Sequence, residues 1–218
     1  KNVTFYSDDR AYMQFLVPSG MRVLDIGCGT GELLSKVKPA LGVGIDLDPM
    51  MIKIAKKNHP NLNFILHDVE AESKGHALLD DKFDYIILSD LFCYLEDCQA
   101  ALTKLHRWCH INTRVIIAHH AWHWEPVLKL AEKMGVKMPS LALNWLNEQD
   151  FNNFLRLSNF EIIKRDQRQL IPIRLFGFEK FINNTIGTLP IIRNLSLRHY
   201  LVARPLDSSN PRELSVSV

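Results

Sequence analysis

The stretch Val23-Leu24-Asp25-Ile26-Gly27-Cys28-Gly29-Thr30-Gly31 decides the fold. Val23, Leu24 and Ile26 form the apolar run of a buried parallel strand, and three glycines at alternate positions take over from it. Leu33, Leu34 and Val37 then recur at helical spacing, so the order is strand, glycine loop, helix. Glycine suits such a loop because the backbone turns tightly and lets a ligand approach without a Cβ in the way. The helix start is expected to offer unpaired N–H groups and a partial positive charge to an anionic group. In the dinucleotide fingerprint G-x-G-x-x-G the third glycine would fall at Glu32, so the pattern here is instead Asp25-x-Gly27-x-Gly29-x-Gly31.

Outward from this loop, a second strand-like run, Leu41 to Ile45, ends in Asp46. A carboxylate at that place, about 20 residues past the loop, is expected to hold a ribose in nucleotide-binding βαβ units. Asp48-Pro49 opens the next helix, with proline in its first turn, so the capping role falls to Asp48 and leaves Asp46 to accept the ribose hydroxyls.

VLDIGCGTG followed by GIDLDPMMIKIAKK resembles the first two motifs of the class I S-adenosylmethionine-dependent methyltransferases. Asn63-Phe64-Ile65-Leu66-His67-Asp68-Val69 and Phe83-Asp84-Tyr85-Ile86-Ile87-Leu88-Ser89-Asp90-Leu91 resemble the third and fourth. Trp124-Glu125-Pro126, Asn144-Trp145-Leu146 and Tyr200 to Pro205 are similar to a bacterial small-molecule methyltransferase subgroup. The resemblance implies an α/β fold, a Rossmann-like doubly wound sheet of seven strands, mostly parallel with the last antiparallel and with helices on both faces. It implies S-adenosylmethionine as cofactor and S-adenosylhomocysteine as product. Gly27, Cys28 and Gly29 would present backbone to the methionine end and Asp25 would orient the loop or meet the amino group. Asp46 would hold the ribose, Leu47 and Val69 would wall the adenine, and Asp68 would take its amino group. Tyr6 or Tyr12 would close over the cofactor, and Ser89 and Asp90 would sit at the fourth strand's carboxyl end, where such sheets bind ligands.

Two departures narrow the chemistry. Relatives often carry a histidine shortly after the fourth motif, and here that stretch reads Phe92-Cys93-Tyr94-Leu95-Glu96. The Asn-Pro-Pro-Tyr pattern of amine-methylating relatives is also absent, which disfavours a DNA- or protein-amine methyltransferase of that type. The fifth strand, Val115 to Ala118, instead ends in His119-His120-Ala121-Trp122-His123-Trp124-Glu125. His119 or His120 is the candidate general base, because a neutral imidazole titrates in the useful range. His120 and His123 stand three apart and would share a metal only if helical; with no further ligand set evident, no metal is expected.

With 218 residues, 47% hydrophobic and 23% charged, the chain fits one globular domain, 1–206, and its net charge of +2 gives no case for nucleic acid. Four cysteines without C-x-x-C spacing suggest neither zinc nor disulfides. No apolar run approaches a membrane span and no signal-peptide pattern is present, so a cytoplasmic protein is expected. The remaining helices are expected around Tyr6 to Leu16, from Ala100 to Trp108, from 126 to 134 and, after a cap at Asn147, from Phe151 to Leu157. A sixth strand is expected from Phe160 to Lys164, running on toward Leu170, and a last from His199 to Ala203. Between them an insertion, 171–197, is apolar and basic at once: from 162 to 206 eight Lys and Arg stand against two acids, a net +6. It would serve as a cap, a homodimer surface or a peripheral membrane contact for a lipid-linked acceptor. Residues 207–218 read as a disordered tail. The expected activity is in-line methyl transfer to a small-molecule or lipid-linked acceptor. The alternatives are an RNA methyltransferase, a non-catalytic S-adenosylmethionine-binding module and, disfavoured by Glu32, an NAD-dependent oxidoreductase.

Overall fold

In a computed structural model of the chain, residues 3–71, 77–135, 144–169 and 194–206 are described, the side chains of 3–6 excepted. The apolar runs pair into one sheet: β1 (Arg22–Ile26), β2 (Leu41–Asp46), β3 (Asn63–Leu66), β4 (Phe83–Ser89), β5 (Cys109–His120), β6 (Phe160–Arg168) and β7 (Arg198–Pro205). Their order is β3-β2-β1-β4-β5-β7-β6, and β7 runs antiparallel to both its neighbours. The chain winds outward to one side from β1 and then returns to start again at β4, so the switch point lies at the carboxyl ends of β1 and β4.

Alternation along the central strands serves two cores. Leu24 and Ile26 of β1, Ile86 and Leu88 of β4, and Val115 and Ile117 of β5 face α4 (Cys98–Leu105) and α6 (Glu148–Leu157). Val23, Ile87, Ile116 and Ala118 point the other way, with Met13, Leu34 and Ala55. Those three stand on α1 (Val3–Leu16), α2 (Glu32–Lys36) and α3 (Pro49–Asn58). This two-sided burial is why the strands read as continuous apolar runs. One more helix, α5 (Glu125–Lys133), follows a 3-10 turn at Trp122–Trp124.

Local signals behaved as chemistry requires. Asp48 caps α3, its Oδ1 accepting from the Met50 N–H at 2.7 Å. Asn147 and Asp150 close a capping box at the start of α6, which therefore begins three residues before the expected Phe151. β5 is longer than expected, because its first half carries the exposed Ile111 and Asn112 and so hides its pattern. β6 shifts register between Ile162 and Lys164 and then follows β7 to Arg168. The Leu197 N–H donates to the Gln169 carbonyl at 3.0 Å, so the expected insertion leaves and rejoins the fold at one place. Residues 171–193 of that insertion, with its proposed dimer and membrane contacts, lie outside the described residues, as does the expected tail, 207–218. Among the described residues no helix is long and apolar enough to cross a membrane.

Candidate active site

The glycine loop leaves β1 and is stitched to β2. Gly27 and Cys28 donate their N–H groups to the Ile45 carbonyl at 2.8 and 3.0 Å, and Gly31 donates to Cys28 at 2.9 Å. Gly31 has φ 77, and a Cβ there would lie 2.5 Å from the Phe64 ring, so glycine is required twice over. Gly29 has φ 51 with nothing within 4 Å of a Cβ position, so this is where the loop is open. Its N–H donates to Asp46 Oδ2 at 2.8 Å, and Asp46 Oδ1 accepts from the Asp48 N–H at 2.9 Å. Backbone thus fixes the Asp46 carboxylate at the strand end.

The helix after the loop, α2, is only five residues long, and the amides of Gly27, Cys28, Gly29 and Gly31 are already engaged. The loop therefore leaves none of these four amides free for an anion. What it offers is Asp25, 2% exposed, whose Oδ2 has no hydrogen-bond partner among the described residues. Burial first, and the charge of Asp46 second, push its pKa up to about 7. A buried carboxylate without a partner is a socket for a cation. The same burial, then Asp25 and Asp46, push the Cys28 thiol up, so it is inert filling rather than a nucleophile.

Around this centre, Leu47 is exposed beside Asp46 and Val69 is buried in the core below it. Asp68 Oδ1 accepts from the Glu70 N–H at 2.8 Å, a turn that fixes the carboxylate after β3. Tyr6 lies on α1, but its side chain is outside the described residues. Tyr12 does not close over the loop: it donates to Asp166 on β6 and meets Tyr200 on β7 edge-on, at 4.7 Å.

Ser89 and Asp90 stand at the carboxyl end of β4, as expected, and Arg198 of β7 engages both. Arg198, 1% exposed at the start of β7, donates Nη2 to Ser89 Oγ at 2.8 Å, Nη1 to Asp90 Oδ1, and Nε to Asp9 Oδ1 of α1 at 2.8 Å. Tyr200 adds a bond from its hydroxyl to Asp9 Oδ1 at 2.7 Å. Asp90 Oδ1 also meets His120 Nδ1 at 3.0 Å, and Asp90 adopts φ 57, a conformation rare outside glycine. Burial alone would raise the Asp90 pKa, but Arg198 and then His120 hold it well below the usual carboxylate range. Sequence reasoning gave no site role to Asp9, Arg198 or Tyr200, whose contacts are made across the whole chain.

The two candidate histidines separate sharply. His119 is 8% exposed, stacked on Phe151 at 4.1 Å, and its Nδ1 donates to the His120 carbonyl at 3.1 Å. Burial, offset in part by that bond, lowers its pKa to about 3, too weak for a base at neutral pH. His120, the last residue of β5, is the one paired with a carboxylate. On the other face of β5, the side of His119, a pocket of about 480 Å³ opens, lined among others by His119, Trp122, His123, Trp145, Glu148 and His199. His123 sits in the 3-10 turn, not on a helix with His120, and no set of three metal-ligating side chains occurs among the described residues.

Residues 4–165 match a family model, Methyltransf_23, described as a methyltransferase domain. Protein 235L of Invertebrate iridescent virus 6, named as a methyltransferase, is 36% identical over 220 residues, covering 91% of this chain and 80% of that protein. Demethylmenaquinone methyltransferase of Staphylococcus saprophyticus is 23% identical over 181 residues, covering 80% and 76%. Among solved structures, magnesium protoporphyrin IX methyltransferase from Synechocystis PCC 6803, with bound S-adenosylhomocysteine, superposes with TM-score 0.59 at 18% identity, covering 94% of this chain and 82% of that one. A TehB-like methyltransferase from Corynebacterium glutamicum gives 0.58 at 19%, covering 90% and 86%. The chain belongs to this methyltransferase family. It is a class I enzyme that uses S-adenosylmethionine. The residues present fit that cofactor: the partnerless Asp25 oxygen suits its ammonium, and the open Gly29 and the fixed Asp46 suit its approach.

Proposed function

We propose that the enzyme methylates a small-molecule acceptor, free or lipid-linked, with His120 as general base. The observation that carries this is the His120 Nδ1 to Asp90 Oδ1 pair, 3.0 Å long, at the carboxyl edge of the sheet. When bound, S-adenosylmethionine supplies a methyl group already activated by its sulfonium. The protein's work is then to align, to exclude water and to take one proton. Asp25 takes the cofactor's ammonium, with Gly27, Cys28 and Gly29 beside it, and Asp46 takes the ribose hydroxyls. Asp68 and the Val69 backbone read the adenine edge, and Leu47 covers it. Asp90 accepts from His120 Nδ1, which makes Nε2 the basic nitrogen, and the acceptor's hydroxyl proton passes to it. Ser89 and Asp90 therefore belong to the base's support, not to the cofactor. Arg198 and Asp9 anchor that support to α1.

The test is release of S-adenosylhomocysteine during turnover of a panel of hydroxyl-bearing small molecules. His120→Ala is expected to lower kcat by about 10²- to 10⁴-fold, with cofactor affinity unchanged. Unchanged kcat in that variant, or turnover stimulated by RNA and by no small molecule, would overturn the proposal.

A further inference from the structure

One side chain ties the loop after β3 to the start of α4. Asp97 is the N-cap of α4, and its Oδ1 accepts from the Ala100 N–H at 2.8 Å. In a capping box the third helical residue returns a bond to the cap's own N–H, but here that residue is alanine and has no acceptor. Glu70, 27 residues before the cap, takes its place. Its Oε1 accepts from the Asp97 N–H at 2.7 Å and its Oε2 from the Glu96 N–H at 3.2 Å. The last turn of α4 answers, where Lys104 Nζ donates to the Glu70 carbonyl and, at 3.4 Å, to that of Ala71. Glu70 is thus held by both its carboxylate and its carbonyl.

Its remaining polar group, the N–H, donates to Asp68 Oδ1 at 2.8 Å. One oxygen of Asp68 is therefore fixed by a residue that α4 itself holds, and Oδ2 is the one left to a donor from outside the loop. The anchor stands in turn against the cofactor loop. Glu96 and Asp97 end the run that leaves β4, and Leu91 of that run packs on Gly27, its Cδ1 3.1 Å from where a Cβ would stand. Through Glu70 the loop after β3 is referenced to the glycine loop after β1.

On the reading above, in which Asp68 takes the adenine amino group, we infer that Glu70 is a positioning residue for the cofactor's base. By gripping the start of α4 it fixes the carboxylate that meets that amino group. A carboxylate can only accept, so a fixed Asp68 favours an amino group and opposes a carbonyl oxygen in its place. Released, the carboxylate turns aside and that distinction fades.

Calorimetric titration of S-adenosylhomocysteine and of S-inosylhomocysteine, in which a carbonyl replaces the amino group, tests this. The wild type is expected to favour the first by at least about tenfold. Glu70→Ala should lower that preference by about fivefold or more, and Lys104→Ala, which frees the same loop from the other side, by about twofold or more. Glu70→Gln keeps an acceptor oxygen for the Asp97 N–H and should stay within about twofold of the wild type. A loosened α4 alone would weaken both ligands alike and leave their ratio unchanged. A wild-type ratio in Glu70→Ala would therefore overturn the inference. Asp68→Ala keeps the two readings apart. Preference lost in Asp68→Ala but intact in Glu70→Ala refutes the role of Glu70 alone. No preference in the wild type, or one untouched by Asp68→Ala, refutes the adenine assignment and the role of Glu70 with it.

Discussion

Asp25 carries the strongest single electrostatic signature of the cofactor site, and its sign makes two predictions. Its folded pKa of about 7 lies above the ordinary 3.8, so the folded state holds this proton more tightly than the unfolded one. The stabilisation it gives is fully present below about pH 4 and is lost as pH rises toward 7. Denaturant unfolding of wild type and Asp25→Asn should therefore show the wild type gaining relative stability as pH is lowered from 8 to 5; parallel curves would contradict this. A bound cation favours the ionised carboxylate, so cofactor binding near pH 6 should release a proton. Calorimetry in two buffers of different ionisation enthalpy reads that proton directly, and Asp25→Asn should abolish the difference. The position of Asp25 was evident in the sequence from the motif it opens. Its missing partner was not, since an orphaned oxygen exists only once the surroundings have closed.

At the scale of elements, two kinds of contact divide by range. The α6 capping box joins residues three apart, and so it was partly readable in Asn147-Glu148-Gln149-Asp150; Asn147→Ala is expected to cost about 1 kcal/mol in denaturant unfolding. Arg198 and Asp9 are 189 residues apart, and neither neighbourhood hints at the other. Only the antiparallel register of β5 on β7, which sets His120 opposite Arg198 and His119 opposite His199, creates the constellation. Arg198→Ala leaves Asp9, 6% exposed, with an uncompensated charge, and should lose about 3–5 kcal/mol. A loss under 1 kcal/mol would mean that α1 is held by its apolar face alone.

For the molecule as a whole, the sheet's two-sided burial was legible because parallel strands covered on both faces must be apolar throughout. The acceptor side was less so, since the five-residue run His119 to His123 gives no hint that one imidazole enters a core and the next meets a carboxylate. The buried neutral histidines leave a global mark. His119 and His199 have folded values of about 3 and about 4 against 6.5 unfolded, so the stability they give is present above pH 6.5 and is lost as pH falls toward 4. Acidification from pH 7 to 5 should lower the denaturant midpoint, more steeply in Asp25→Asn, where the opposing proton is gone. His199→Gln should flatten the dependence, and an unchanged slope would contradict the assignment.

The most direct measurement is calorimetric titration of S-adenosylmethionine, S-adenosylhomocysteine and NAD into wild type and Asp46→Ala. The glycine loop and the backbone-fixed Asp46 predict that the first two bind and NAD does not, with the variant weakened by more than about tenfold, or 1.4 kcal/mol. Binding of NAD, binding of neither sulfonium nor thioether ligand, or full affinity in Asp46→Ala would contradict the site described.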